Sequence, residues 1–526
     1  MNRKILDFLE DAHEELEGKA AKAPGSSPGG KPLERQSINP QENPAPGGLS
    51  EKDIADFISF ASREGRRTLD TFKDALIVNH FDCDGLASGS IVALALKERK
   101  TPFRMLTVKK MDDAIIANIR NDPCKYVIFV DIGTGFLSKI NEIALAGKSI
   151  LQIDHHSPET IANRSDAFTI INCHNFNIDG SFYLCSSSAA YFVFSQCSPV
   201  ECAKRMAQLG IIGAVGDVQD IRGLRGLNYL MLQEARKFKV VDVISDLRLF
   251  GRVSRSLVSF LNFCSEPFLP GLTGNAKGCA LFLKKTGIPL FREENGQRKW
   301  LRYYDLPKED RIRLIGGLMY YCYEKRIAEE VIKSMLGEVY LFPHEKNDSE
   351  LYDAYEFSSL LNACGRGGRH DVGISLCMNE PGAYEEAHSL LLAHRMEISK
   401  SISFAKKFTE DMGAFYLLDA RKEIPDTVIG SVAGSYYNSG LIERTKPIIA
   451  LAVDESNQVK GSSRAWRGLV EKGLDLGEVM GNSSKEAGGF GGGHSVAAGA
   501  SFPNTDDAIR KFLLTAKKAI KQQIGI

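Results

Sequence analysis

ALIVNHFDCDG (75–85) carries two kinds of text in one short run. Residues 75–79 are continuously apolar and turn polar at the end, the pattern of a strand buried on both faces. His80, Asp82 and Asp84 follow at once, and 85–100 reads as helix. The same sentence is repeated downstream. YVIFVD (126–131) is a buried type of strand ending on Asp131, and FLSKINEIALAG after it reads as helix. SILQID (149–154) is a further strand, ending on Asp154 and running into His155-His156. FRMLTV (103–108) and a helix near 112–120 fill the interval, and helices are expected near 186–197 and 201–215. Strands alternating with helices predict βαβ units and a parallel sheet covered on both faces.

Further out the pattern changes. Residues 225–345 read mostly helical around a looped middle, FLPGLTGN and REENGQRKW. A second α/β pattern is expected from about 350. It has a helix EFSSLLNACGR (356–366), a strand VGISLCM (372–378) and a long helix over 382–412. Strands AFYLLD (414–419) and PIIALAV (447–453) and a last helix over 505–522 complete it. Residues 1–20 suit a short amphipathic helix with Ile5, Leu6, Leu9 and Leu16 along one side. Residues 21–50 hold six prolines and five glycines, too little apolar surface to offset the entropy of ordering them, and read as a linker. The expected fold class is α/β: 1–50 helix and linker, 51–235 a parallel-sheet catalytic domain, 236–345 a helical connector, 346–526 a smaller α/β substrate-binding domain.

The chain has 526 residues, with 66 Lys+Arg against 66 Asp+Glu. A net charge of zero excludes a protein that coats nucleic acid through a global positive field, and an acidic tail protein as well. No apolar run approaches the roughly 20 residues of a membrane helix, so no membrane partner is expected. The N-terminus sets acids among its apolar residues, unlike a signal peptide. Eleven cysteines without a CxxC read as reduced core thiols and a cytoplasmic location. Residues 457–526 hold ten Lys+Arg against six Asp+Glu and residues 1–50 six against eight, so the balance is a sum of unlike parts.

Four clusters carry chemistry: His80-Phe-Asp82-Cys-Asp84, then Asp131, then Asp154-His155-His156, then Asp217 in GAVGDVQD. Three of them end strands, and in an open parallel sheet ligands bind outside the carboxyl ends of the strands. Carboxylates gathered there repel and raise one another's pKa values; divalent cations remove the conflict. Carboxylate and imidazole without thiolate suit manganese, magnesium or iron better than structural zinc. Two ions about 3.5–4 Å apart are the usual clamp for phosphoester hydrolysis.

In this order the motifs resemble the DHH phosphoesterase superfamily. GGFGGGHSVAAGASF (488–502) resembles the glycine-rich signature of the DHH-associated domain. NFNIDGSFYLCSSSAAY (175–191), LLNACGRGGRHDVGI (360–374) and IPDTVIGSVAG (424–434) are similar to archaeal RecJ-like exonucleases, a group that includes the nuclease associated with the GINS replication complex. The resemblance spans about 51–505. It implies His80 and Asp82 on one metal, Asp84, His155 and Asp217 on the other, and Asp131 bridging. It also implies Asp154 orienting a histidine and His156 at the scissile phosphate or leaving oxygen. It implies two divalent ions, manganese first and magnesium the alternative. One departure stands out: Asn172-Cys-His174-Asn175 occupies the place of the family's Asn-Pro-His run.

For substrate, Gly491, Gly492 and Gly493 before His494 read as a glycine-rich loop that lets backbone N–H groups approach phosphate. Lys460, Ser463 and Arg464 offer cationic and hydroxyl donors. Asn362 and Arg366 lie at a helix end within reach of a nucleotide. Ser186 and Ser187, with Ser188, open a helix and either cap it or hold a terminal phosphate. Trp466 is either a base-stacking residue or core. The function expected is a metal-dependent exonuclease on single-stranded DNA or RNA, 5′ to 3′, in replication and repair. The alternatives are a replicative-helicase scaffold bound to GINS with secondary nuclease activity, and a phosphodiesterase of short oligonucleotides or cyclic dinucleotides.

Overall fold

A computed structural model describes residues 49–264, 267–439 and 441–525. The expected helix at 1–20 and nearly all of the 21–50 linker lie outside the described residues. The chain divides into two compact units, one of residues up to Arg255 plus Leu301–His388, the other of Ser256–Trp300 plus Ser389–Ile526.

The first unit opens with α1 (Glu51–Thr71), capped by the Ser50 hydroxyl, which accepts from the Asp53 N–H. Then come β1 (Ala75–His80), α2 (Cys83–Glu98), β2 (Phe103–Val108), α3 (Asp113–Asn121), β3 (Tyr126–Val130), α4 (Leu137–Leu145), β4 (Ser149–Asp154) and β5 (Phe168–Asn172). The five strands form one wholly parallel sheet in the order β2-β1-β3-β4-β5. Its central strands are buried along nearly their whole length, which is why they read as continuous apolar runs. The order reverses at β1, so the crevice for a ligand opens between the carboxyl ends of β1 and β3. Helices α5 (Ser186–Phe194), α6 (Val200–Gly216) and α7 (Gly226–Lys237) follow. α5 and α6 are buried almost throughout.

Strand β6 (Asp242–Leu247) closes this part of the chain. The second unit receives α8 (Leu257–Asn262), α9 (Ala276–Lys285) and the hairpin β7 (Phe291–Glu294)–β8 (Gln297–Trp300). REENGQRKW, expected as a loop, is therefore mostly hairpin. Asn295 and Gly296, both at positive φ, make the two-residue turn that matches strand twist.

The chain returns to the first unit through α10 (Lys308–Glu324), α11 (Glu329–Ser334) and β9 (Leu336–Leu341), which pairs antiparallel with β6. α12 (Ala354–Arg366) and α13 (His370–Cys377) come next, so residues 346–388 stand in this unit. The strand expected at 372–378 is helix α13. Its buried positions Val372, Gly373, Leu376 and Cys377 have helical spacing. A Cβ on Gly373 would lie 2.9 Å from Leu86, so α13 lies against α2 at a distance a side chain would block.

After α14 (Ala383–Phe408), the second unit holds β10 (Glu410–Asp411), β11 (Tyr416–Asp419), α15 (Asp426–Asn438), β12 (Ile448–Val453), β13 (Gln458–Arg464), α16 (Arg467–Val470), α17 (Leu476–Glu486), β14 (Phe490–His494), β15 (Ala497–Pro503) and α18 (Asp506–Ile524). Its six strands run β10-β11-β12-β13-β15-β14, with β11 and β12 parallel and the other pairs antiparallel. The glycine stretch expected as a loop is β14, an edge strand paired to β15. No helix among the described residues is long and apolar enough to cross a membrane. All eleven cysteines are free thiols.

Candidate metal centre

β1, β3 and β4 deliver their last residues to one edge. His80 ends β1. Asp82 caps α2, its Oδ1 accepting from the Gly85 N–H at 3.0 Å. Gly85 is required there because a Cβ would meet the His80 carbonyl oxygen at 2.4 Å. Asp84 stands in the first turn of α2. Asp131 follows β3 at φ +60, an uncommon conformation for a residue with a side chain and one that recurs at functional sites. Asp154 ends β4, and Asp217 is the C-cap of α6.

The side chains converge on Asp131. His80 Nδ1 is 3.0 Å from Asp82 Oδ2 and 3.5 Å from Asp131 Oδ2. His155 Nε2 is 3.6 Å from Asp131 Oδ1 and 3.7 Å from Asp217 Oδ2. His156 Nδ1 bonds Asp154 Oδ1 at 2.7 Å and lies 4.0 Å from Asp131 Oδ1. Two groups of potential ligand atoms result, His80-Asp82-Asp131 and Asp131-His155-His156, with Asp131 common to both.

The cluster is short of positive charge. Asp84, Asp131, Asp154 and His155 are buried. Burial first, then the charges of Asp84 and Asp82, push the Asp131 carboxyl up to about 8. Burial and Asp84 push Asp217 up to about 6. Burial alone would lower His80, but bonding to Asp131 and Asp82 outweighs it and holds the ring at about 10. His155 is buried against its charged form, yet Asp131, Asp84 and Asp217 raise its pKa. Its Nδ1 bonds the Gly180 carbonyl at 2.8 Å, so in the neutral ring Nδ1 carries the proton and Nε2 the lone pair. That Nε2 is buried with no hydrogen-bond partner. That lone pair faces Asp131 Oδ1 and Asp217 Oδ2 across 3.6–3.7 Å; each oxygen accepts from one neighbour, Ser186 and Gln219, but no donor reaches Nε2, and a cation between the three atoms satisfies all of them.

The donor set fits a hard divalent ion: oxygen and imidazole, without thiolate. Cys83 sits between two of these acids but is buried. Burial, then Asp82, raise its thiol far above the ordinary range, and it points to the Ile212 carbonyl at 3.5 Å. Asp154 keeps its pKa low despite burial because His156 and Thr134 donate to it. That pairing is the first cause raising His156 to about 9. The His156 side chain is 58% exposed, so it stands at the mouth as a protonated ring.

The other expected residues separate. Ser186 and Ser187 are fully buried and do not face a ligand. Their N–H groups hold Asp84 at 2.8 and 3.0 Å, and the Ser186 hydroxyl donates to Asp131 Oδ1 at 2.9 Å. The anion at this helix N-terminus is the chain's own Asp84 carboxylate, in the place where a terminal phosphate was one of the two expectations. Asn362 Oδ1 accepts from the Cys83 N–H at 3.1 Å, bracing the β1–α2 turn. Arg366 on the same helix is partly buried; burial lowers its pKa against the Asp82 charge.

In the second unit, three strands align the remaining candidates in rows. Arg464, Ala497 and His494 stand in one, Ser463, Ala498 and Gly493 in the next. Ser463 is buried, its hydroxyl donating to the Ala498 carbonyl at 3.1 Å, and Lys460 lies 3.6 Å from Asp426. A Cβ on Gly491 would meet Ser484 Oγ at 2.7 Å and two carbonyl oxygens at 2.8 Å, and one on Gly493 the Ala498 Cα at 2.7 Å, whereas Gly492 has open space. Trp466 is 49% exposed.

Sequence reasoning passed over Thr134, and took Asn172 and His174 only as a departure from the family pattern. Asn172 Nδ2 donates to the His156 carbonyl at 2.9 Å, and His174 Nε2 bonds the His155 carbonyl at 3.1 Å. The departure at 172–175 thus still holds the backbone of both histidines.

Comparisons place this architecture in a class. Family models match at 74–214 (DHH family, N-terminal domain), 249–336 (DHH-CID domain) and 414–522 (DHHA1 domain). The chain thus carries the DHH, DHH-CID and DHHA1 domains of the DHH superfamily. An uncharacterised protein of Methanocaldococcus jannaschii is 27% identical over 454 residues, 85% of this chain and 93% of that one. RecJ of Thermus thermophilus, solved with Mn2+, superposes with a TM-score of 0.52 at 14% identity, over 92% of this chain and 56% of that one; the chain thus spans little more than half of that RecJ. CDC45 of Entamoeba histolytica gives 0.56 at 11% identity, over 89% and 99%. These structural likenesses establish a shared fold.

Proposed function

We propose that the chain is a two-metal phosphodiesterase that releases nucleotides from the end of a single nucleic-acid strand, 5′ to 3′. The observation that carries this is the buried His155 Nε2 lone pair facing Asp131 and Asp217. His80 and Asp82 would hold one ion, Asp84, His155 and Asp217 the other, with Asp131 between them. Manganese is the first candidate and magnesium the second. Bound there, such ions acidify an attacking water and neutralise charge on a phosphoryl group. The chain's own part is positional. The α5 N-terminus and Ser186 fix Asp84 and Asp131, and Asn362 fixes the turn that carries Asp82. His156, kept protonated by Asp154, donates to the leaving oxygen. In this reading the first unit, residues up to Arg255 with Leu301–His388, is catalytic, and the second carries the substrate residues, where Arg464 and His494 contact the strand.

Membership of one superfamily with RecJ, described as an exonuclease, supports a polynucleotide substrate. The fold shared with CDC45 supports a second reading, a scaffold for a GINS-type helicase assembly, in which that complex survives loss of Asp131. The test is incubation with manganese and DNA or RNA single strands labelled at either end. Release of mononucleotides from the 5′ end is expected; intact strands of both kinds would refute the reading.

A further inference from the structure

GAVGDVQD (213–220) contributes a second residue besides Asp217. Val218 between them has φ +61, a strained conformation for a β-branched residue, stored where the surroundings enforce it. The bend lets the side chains two apart work together. Gln219 is buried, and its Nε2 donates to Asp217 Oδ2 at 2.7 Å and to the Gly180 carbonyl at 2.8 Å. That carbonyl is the acceptor for His155 Nδ1. A single amide therefore ties together the two side chains whose His155 Nε2 and Asp217 Oδ2 atoms face each other across 3.7 Å, the same Asp217 oxygen accepting from Gln219. Gly180 makes the arrangement possible, since a Cβ there would lie 1.9 Å from the His155 carbonyl oxygen.

The amide has one admissible orientation. Asn228, fully buried, donates from Nδ2 to Gln219 Oε1 at 2.6 Å. Asn228 is itself anchored, its N–H donating to the Tyr183 carbonyl at 3.0 Å. Turned over, the Gln219 oxygen would face Asp217, Gly180 and Leu184, all acceptors, and its NH2 would face the Asn228 donor.

We infer that Gln219, locked by Asn228, is the positioning residue for one of the two cation positions, setting Asp217 and the His155 ring for a common ion while leaving the His80-Asp82 position independent. This rests on the two-metal reading. Partners behind metal ligands typically change metal affinity by about 10–100-fold when removed, and here the loss is confined to one ion.

The experiment is a calorimetric titration of Mn2+ into the full chain, with electron paramagnetic resonance of the loaded protein. Wild type, Q219A, Q219M (which keeps the volume) and N228D (which replaces the donor to Gln219 by an acceptor) are compared. The expected result is two binding events in wild type. Each variant weakens one event by about 10–100-fold, keeps the other and loses the manganese–manganese coupling signal. Unchanged affinities in Q219A and Q219M would overturn the inference. So would equal weakening of both events together with a lowered metal-free melting temperature, which marks a merely structural role. Wild type that takes up no manganese overturns the two-metal reading itself and is seen before any variant is made.

Discussion

The carboxyl edge of the five-stranded sheet and the glycine strand of the six-stranded sheet both announce themselves in sequence, yet they are physically unlike. At the first, Asp84, Asp131, Asp154 and His155 are buried, and His155 Nε2 has no hydrogen-bond partner. At the second, glycines stand in a regular edge strand, and two of three are required by packing against α17 and β15. A buried, unsatisfied charge demands a ligand; a glycine run is explained by close approach alone. Glu356 sharpens the contrast. It too is a buried carboxylate pushed up to about 7, first by burial and then by Asp353. But the Val253 and Ser254 N–H groups donate to it at 2.7 and 3.1 Å, so burial without orphaned acceptors is structure, not a site.

The largest effect expected from this contrast is at Asp131. D131A should lower phosphodiester hydrolysis by about 100–1,000-fold, the scale of losing a preorganised charge-stabilising group, with an unchanged circular dichroism spectrum. Hydrolysis within tenfold of wild type would break the account.

Manganese uptake should also displace protons, because metal-free His80 and Asp131 titrate near 10 and 8 and must deprotonate to bind. Affinity therefore rises from pH 6 to 9. Calorimetry in buffers of different ionisation heat should show about one to two protons released.

At Glu356 the folded pKa lies above the unfolded value of 4.5. The unfolded chain ionises first, so stability is full below that value and falls as pH climbs towards 7, on the order of 3 kcal/mol. Urea denaturation of E356Q should show a flatter slope in that window and unchanged manganese uptake.

In the glycine strand, G491A should cost about 1–3 kcal/mol through overpacking. G499A, where a Cβ meets only Gly461 O at 3.6 Å, should cost less than about 0.5 kcal/mol. Equal costs would show that the packing account of β14 is wrong.

Much of the edge was legible because strands buried on both faces are written as apolar runs, and topology alone brings their ends together. Asp131, Asp154 and His155 could be placed from sequence for that reason. The roles of Ser186 and Ser187 could not, since a free helix N-terminus looks alike whether its anion is a ligand or an internal carboxylate. VGISLCM misled because its aliphatic residues suit a strand, while its helical spacing shows only once Val372, Leu376 and Cys377 are seen buried together. Asn295-Gly296 was an available hairpin signal, passed over because β7 and β8 are exposed and lack apolar alternation.

The central claim is that two cations share Asp131. Crystals soaked in manganese and measured at its absorption edge test it directly. The account predicts two anomalous peaks, one beside His80 and Asp82 and one beside His155 and Asp217, with Asp131 between. A single peak, or none within reach of Asp131, would contradict it.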